Sequence, residues 1–191
     1  MKRNELKGPF TAESVAGLRA GERVRVSGSM CTARCRVQQA LLDGTASPVK
    51  LEQVAIYFCS PIIVREGAQW VVRAAGPSAS VLVDMYVPEF IARYRVRVLL
   101  GMGGFGEATR RACARFGCVY LQTVGGAASK LAQCIRGVSG VHFLKEFGAA
   151  DAMWMLEAEH VEAVVAIDAR GRSLHRRVKA SSRRALDALL R

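Results

Sequence analysis

No run of about 18 apolar residues occurs in this 191-residue chain, so no membrane-spanning helix is expected. The opening stretch MKRNELKGPF carries charge but no apolar core, which excludes a secretory signal there. The six cysteines are Cys31, Cys35, Cys59, Cys113, Cys118 and Cys134, and none forms a C-x-x-C pair. The three histidines (His142, His160, His175) lie apart from them in sequence. That is a poor match to zinc or iron–sulfur ligand spacing. Aromatic residues are only 7% of the chain and form no RNP-like cluster, and helix-turn-helix and zinc-finger patterns are missing. No cofactor is therefore expected on the chain, and the cysteines read as reduced, mostly packed thiols in a cytoplasmic protein.

Acids are scarce as well, 16 against 28 Lys and Arg, giving a net charge of +12. From Arg170 to Arg191 there are eight cations (Arg170, Arg172, Arg176, Arg177, Lys179, Arg183, Arg184, Arg191) and one acid, Asp187. That stretch holds +7 of the total. It reads as a solvated basic tail over 175–191, able to meet phosphate backbones or an acidic partner surface. The remaining balance, 51% hydrophobic and 23% charged, is that of a globular chain. The length suits one hydrophobic core, so a single domain over 1–191 is expected.

Thr11 predicts an N-cap for a short helix ending near Gly21. Glu22–Ser27 alternates as a half-buried strand. Thr32–Leu42 predicts a helix stopped by Gly44. Val54–Cys59 and Trp70–Ala74 predict strands, separated by a segment at Pro61 and a turn at Glu66-Gly67. A helical stretch then holds Asp84, Met85, Phe90 and Tyr94, with Pro88 kinking or dividing it. Two units follow, RVRVLL-GMGGFG-EATRRACARF and CVYLQT-VGGAAS-KLAQCI, each reading strand, glycine loop, helix. That order favours parallel strands with right-handed crossovers. Strands are expected again at Val141–Phe147, Met153–Glu157 and Ala163–Asp168, then a turn at Ala169-Arg170-Gly171 and a basic helix over Ser181–Arg191. The whole predicts a mixed α/β fold, with Trp154 and Met153 in the core and Glu146 and Asp168 as turn or strand-end anchors.

Gly101, Gly103 and Gly106 satisfy G-x-G-x-x-G between a strand and a helix. A dinucleotide fingerprint also needs an acid about 20 residues on, and YLQTVGGAASK contains none. No Gly-Lys-Ser/Thr ends the loop, which excludes a P-loop. Two readings stand: a tight strand-to-helix turn, or bare amides at a helix start that favour an anion. Gly125-Gly126 repeats the geometry and can form a second wall of the same mouth. Gly76-Pro77-Ser78-Ala79-Ser80 places two hydroxyls after a rigid turn; Ser80 can cap a helix, and Ser78 can move a proton if a neighbour assists it.

Taken in order, LRAGERVRVSG, the TAR segment around Arg34, AAGPSAS, LLGMGGFG, VGGAAS, KEFGAADAMWMLE and AVVAIDARGRSL resemble the β subunit, or C-terminal half, of class I fumarases and L-tartrate dehydratases. The resemblance runs from about Thr11 to Leu174. It implies a swivelling β/β/α domain that pairs with an α-type subunit carrying a 4Fe–4S cluster. It implies that Arg34 binds substrate, that Gly76 and Pro77 form a Gly-Pro turn, and that Ser78 replaces a threonine proposed as the base. Ala79 replaces a second threonine. Ser80, Gly101, Gly103, Gly104, Gly125 and Gly126 are expected to complete the substrate-binding set, the loops at 101–104 and 125–126 as N–H donors. Four polar positions differ: Leu82 stands for an arginine, Met102 for a lysine, Cys35 for an aspartate and Gln38 for a histidine. On the residues alone, Arg34 is also an ordinary helix-surface cation and Cys35 a packed thiol.

The leading expectation is a β-type subunit of an iron–sulfur hydro-lyase that acts on a hydroxy acid. Losing two cations at about 1.5–3 kcal/mol per charged hydrogen bond suggests an altered substrate, with an apolar group where one carboxylate lay. A catalytically silent paralogue acting as a structural or regulatory partner is the rival, and nucleic-acid binding by the basic tail is a third reading. A hetero- or homo-oligomer is expected.

Overall fold

The computed structural model describes residues 4–190. Its strands are β1 (Asn4–Lys7), β2 (Arg23–Thr32), β3 (Ala55–Tyr57), β4 (Ile62–Glu66), β5 (Gln69–Ala74), β6 (Val98–Gly101), β7 (Val119–Gln122), β8 (Ile135–His142) and β9 (Met153–Ile167). Its helices are α1 (Ala12–Ala16), α2 (Cys35–Leu42), α3 (Val87–Tyr94), α4 (Glu107–Phe116), α5 (Ala128–Ala132), α6 (Leu144–Phe147) and α7 (Leu174–Leu189). The short strands β3, β6 and β7 pair in parallel, and β2 pairs in parallel with β3. The long β9 runs antiparallel to both β7 and β2, which closes the sheet into a ring. β1 extends the free part of β2, β8 extends the first half of β9, and β4–β5 form a separate hairpin.

Alternation along the ring explains why it is buried on both faces. Val24, Val26, Met30, Ala55, Tyr57, Val98, Leu100, Val119, Leu121, Val161 and Val165 fall in one core cluster. Phe10, Trp154 and the hairpin residues Trp70, Ile63 and Val72 pack against that cluster. The intervening residues Ile56, Phe58, Leu99 and Tyr120 belong to a second cluster, with Val37 and Leu41 of α2, Phe90 and Ile91 of α3, and Ala112 and Cys113 of α4. A β layer thus covers one side and an α layer the other. Among the described residues no helix is long and apolar enough to cross a membrane.

Several sequence expectations are corrected. The Thr11 cap is present as a capping box with Ser14, but its helix ends at Ala16 instead of near Gly21. Thr32 ends β2 and starts no helix: its buried hydroxyl donates to the Ala152 carbonyl and accepts from the Trp154 amide, tying β2 to β9. The hairpin strand β4 was missed because Ile62 and Val64 are exposed and carry no core alternation. Val141–Phe147 is not one strand: Phe143 takes a left-handed φ of 60°, ending β8, and Leu144–Phe147 is a helical turn. The two expected strands after Ala152 are one, β9, running through His160 at φ 56°. Pro88 does divide its stretch, into a 3₁₀ turn (Ser80–Val83) and α3, where it sits in the first turn. The basic helix begins at Leu174, well before Ser181, capped by Ser173; Arg191 lies outside the described residues.

Asp168 anchors the end of β9. Its side chain is fully buried and accepts hydrogen bonds from the amides of Ala20, Arg170 and Arg172 and from Arg172 Nε at 2.7 Å. Burial pushes its carboxyl upward, but these donors outweigh burial and hold it below the usual carboxylate range. The resulting stabilisation is complete above the unfolded-state pKa and is lost as pH falls through the folded one. Asp168→Ala is therefore expected to cost about 2–4 kcal/mol near neutral pH and much less in acid. Urea unfolding at several pH values measures this, and a pH-independent loss contradicts it.

Candidate functional site at the carboxyl ends of the parallel strands

Because β2, β3, β6 and β7 are mutually parallel, their carboxyl ends open on one side of the ring. Crevices outside such ends are the usual ligand sites of parallel sheets. The loops there span 33–35, 58–61, 75–85, 102–106 and 123–127. The antiparallel β9 brings the 148–152 turn to the same end.

Backbone hydrogen bonds lace these loops together. The Phe58 amide donates to the Leu100 carbonyl at 2.9 Å, and Ser78 to Phe58 at 2.7 Å. The Ser80 amide donates to Met102 and Thr123 to Gly101, each at 2.9 Å. The Tyr57 hydroxyl donates to the Ala75 carbonyl and pins the start of the Gly76-Pro77 turn. Pro77 pairs with Cys59, and Ala79 with Met102. Gly76 lies so close to α5 that an added Cβ would meet the Ala128 Cβ at 3.0 Å.

Arg34 is the N-cap of α2 and lies outside its helical turns. Its guanidinium donates to Ser60 Oγ and pairs with Asp151, both at 3.1 Å, with the side chain 26% exposed. Ser60 Oγ in turn donates to the Ala150 carbonyl at 2.6 Å. Ser78 and Arg34 are therefore linked through the Phe58–Ser60 segment. Met102 reaches the last loop: a Cβ on Gly125 would lie 3.0 Å from its sulfur. Cys35 Sγ donates to the Leu82 carbonyl at 3.3 Å, and Leu82 is itself exposed. Arg34, Cys35, Gly76, Pro77, Ser78, Leu82, Met102, Gly103, Gly104, Gly125 and Gly126 thus share one end of the ring.

Three singled-out residues lie beneath that end. Ser80 is fully buried, its hydroxyl 2.9 Å from the Tyr120 hydroxyl. Tyr120 gives its proton to the Gly103 carbonyl at 3.0 Å, so Ser80 is the donor to Tyr120. Burial pushes the Tyr120 phenol up to about 12, keeping it protonated for that role. Gly101 sits against this pair. Gln38 is fully buried, with Nε2 donating to the Ala33 carbonyl at 2.9 Å and Oε1 without a partner among the described residues.

At the first glycine loop the chain supplies an anion of its own. The Asp84 carboxylate accepts from the Gly106 amide at 2.9 Å and from Thr109 Oγ1 at 2.6 Å. The start of α4 is thus filled by the chain's own anion. Gly103 and Gly126, each at φ 78°, turn their loops in the left-handed region. α5 has only five residues and offers little dipole to the second loop.

The sequence reading missed Ser60, Asp151, Asp84 and Tyr120. Ser60 and Asp84 follow parallel strands or precede a helix and were findable by that position. Asp151 and Tyr120 act through pairings distant in sequence. Val81 and Met85 are exposed on the same turn as Leu82, whereas exposed Val124 lines a hollow with Arg23, Arg25 and Glu162. Among the described residues no three His, Cys, Asp or Glu side chains gather as a metal-ligand group.

A family model described as Fumarase C-terminus matches residues 1–178. The chain belongs to that family. It is 39% identical over 178 residues to a putative class I fumarate hydratase of Geobacillus stearothermophilus, covering 93% of this chain and 34% of that one. It therefore spans about a third of that relative. It is 30% identical over 174 residues to the putative L(+)-tartrate dehydratase subunit beta of Methanocaldococcus jannaschii, covering 88% and 89% of the two chains. Against the L(+)-tartrate dehydratase subunit beta of Escherichia coli (strain K12) it is 27% identical over 168 residues, covering 87% and 83%. The closed ring with a β layer and an α layer is the mixed α/β architecture that this membership implied.

Gly101 supplies the sharpest steric test of the site end. An added Cβ would sit 2.3 Å from Ser80 Oγ and 3.0 Å from Phe58 Cδ2. Gly101→Ala is expected to lower stability by about 1–3 kcal/mol. An unchanged melting temperature in a thermal scan contradicts the packing described here.

Proposed function

We propose that this chain is the β-type subunit of an iron–sulfur-dependent hydro-lyase acting on a hydroxy acid. The family match and the two relatives named as dehydratase β subunits support that reading. In it, an α-type partner carries the 4Fe–4S cluster, and this chain closes over the partner's site. When bound, the cluster supplies Lewis-acid polarisation of the substrate hydroxyl. Arg34 orients a substrate carboxylate, and Ser78 is the proton-transfer group. The observation that carries the reading is the link between them: Ser78 rests on the Phe58 carbonyl and Arg34 on Ser60.

The charge at this end narrows the substrate. Across the five strand-end loops there is one cation, Arg34, and one acid, Asp84, which is spent on α4. Met102, Val81 and Leu82 supply apolar surface in their place. A hydroxy acid with one carboxylate for this subunit and an apolar substituent fits better than a dicarboxylate. The rival reading, a silent paralogue with a structural role, draws on the pairing of Arg34 with Asp151, which already occupies the guanidinium.

The test is anaerobic reconstitution with the α-type subunit of the same genome and assay on a panel of hydroxy acids. Arg34→Ala is expected to lower kcat/KM by about 10–100-fold, the worth of one charged hydrogen bond. Ser78→Ala is expected to lower kcat by about 100-fold or more. Wild-type rates in both variants discard these roles. A complex that forms but turns over none of the acids favours the silent paralogue.

A further inference from the structure

We infer that α7 is a docking arm that lies in an acidic, aliphatic-lined groove of the α-type subunit. The inference rests on the pairing proposed above and extends it to a surface of this chain. None of the sixteen residues of α7 is buried. At helical spacing, Leu174, Val178, Ala185 and Leu189 form one stripe with Leu186 at its flank. Val178, Leu186 and Leu189 are 54%, 49% and 84% exposed, so the stripe is uncovered for most of its length. Arg176, Arg177, Lys179, Arg183 and Arg184 occupy the opposite arc. Arg176 pairs with Glu107 and Arg183 with Asp187, whereas Arg177, Lys179 and Arg184 pair with no acid among the described residues. A helix of this length is marginal in water without packing, and its cationic arc calls for an acidic neighbour.

The root of α7 decides which neighbour. The Asp168 clamp fixes 170–172, and Arg110 donates to the Gly171 carbonyl at 2.7 Å. The His175 ring lies against Gly104, with Nδ1 3.4 Å from where a Cβ would stand. The arm therefore starts beside the Met102–Gly106 loop, and Asp84 ties that loop to the exposed Val81, Leu82 and Met85. Leu174, the first residue of the stripe, lies against Gly21, and His175 beside it reaches the site-end loop, so a partner that covers the arm from its root meets the end where the proposed α-type subunit sits. A second copy would bring two cationic arms together, and nucleic acid would leave the leucines in water. A bilayer lying on the arm would cover the end of the ring that the partner needs. Beyond Val178 the arm lies outside the family match.

Binding of the full chain to the α-type subunit of the same genome, followed by sedimentation and titration, tests this. Leu186→Glu/Leu189→Glu and Arg183→Glu/Arg184→Glu are each expected to weaken Kd about ten-fold or more, and rising salt to weaken the wild type. Both variants keep the wild-type melting temperature, since no buried side chain is touched. Wild-type affinity in both variants overturns the docking role and leaves the hydro-lyase reading standing. No complex with the wild-type chain overturns the pairing itself. Binding to phosphatidylglycerol vesicles, to duplex DNA or to itself that these variants abolish, with α binding intact, reassigns the arm to that occupant.

Discussion

The antiparallel seam between β9 and β2 is the constraint on which the rest of the molecule depends. The parallel strands β3, β6 and β7 are three or four residues long and would form a weak open sheet by themselves. β9, fifteen residues long, joins β7 to β2 and turns that sheet into a ring without a free edge between them. Closure gives each short strand two covered faces, one toward the ring interior and one toward α2, α3 and α4. It also sets direction. Because β9 runs against its neighbours, its start arrives where they finish, and the 148–152 turn meets Arg34 and Ser60. The site end is thus a product of strand polarity before any side-chain chemistry enters.

Charge at that end is balanced within the chain. Arg34 has Asp151, and the N-cap amide of α4 and the Thr109 hydroxyl have Asp84. Tyr120 passes hydrogen bonding from Ser80 to the Gly103 carbonyl and holds the glycine loop from below. A parallel-strand end with its dipoles satisfied this way is rigid and nearly neutral. Polar groups fixed by partners hold their geometry when a ligand arrives, which is what positioning requires.

Much of this was legible in the residues. The strand–glycine loop–helix repeats announced parallel pairing because β6 and β7 are short apolar runs punctuated by glycine. Pro88 and the Thr11 cap declared their positions through local chemistry. What failed was whatever depended on distant partners. Thr32 looked like a helix start because its role, two bonds to residues 152 and 154, lies 120 positions away. β9 looked like two strands because its middle, EAEHVE, is charge-rich and its buried alternation slips by one residue at Glu159-His160. The glycine loop looked like a bare anion site because Asp84, the anion that fills it, comes from a preceding turn. The motifs singled out Arg34 and Ser78 by their order along the chain, and only the fold ties both to the Phe58–Ser60 segment.

The Arg34–Asp151 pair bears on how an anion could bind. At 3.1 Å and about a quarter exposed, the pair is neither fully screened nor fully desolvated. An incoming carboxylate meets a guanidinium that has further donors but a neighbour of like charge. It therefore gains less than it would from a lone cation, because Asp151 repels it while Arg34 attracts. A site built this way binds weakly by itself and strengthens only when another surface excludes water and adds charge. That physical incompleteness matches loops with exposed aliphatics and amides and, across the five of them, one cation. In the proposed function this surface is one wall of a shared cavity.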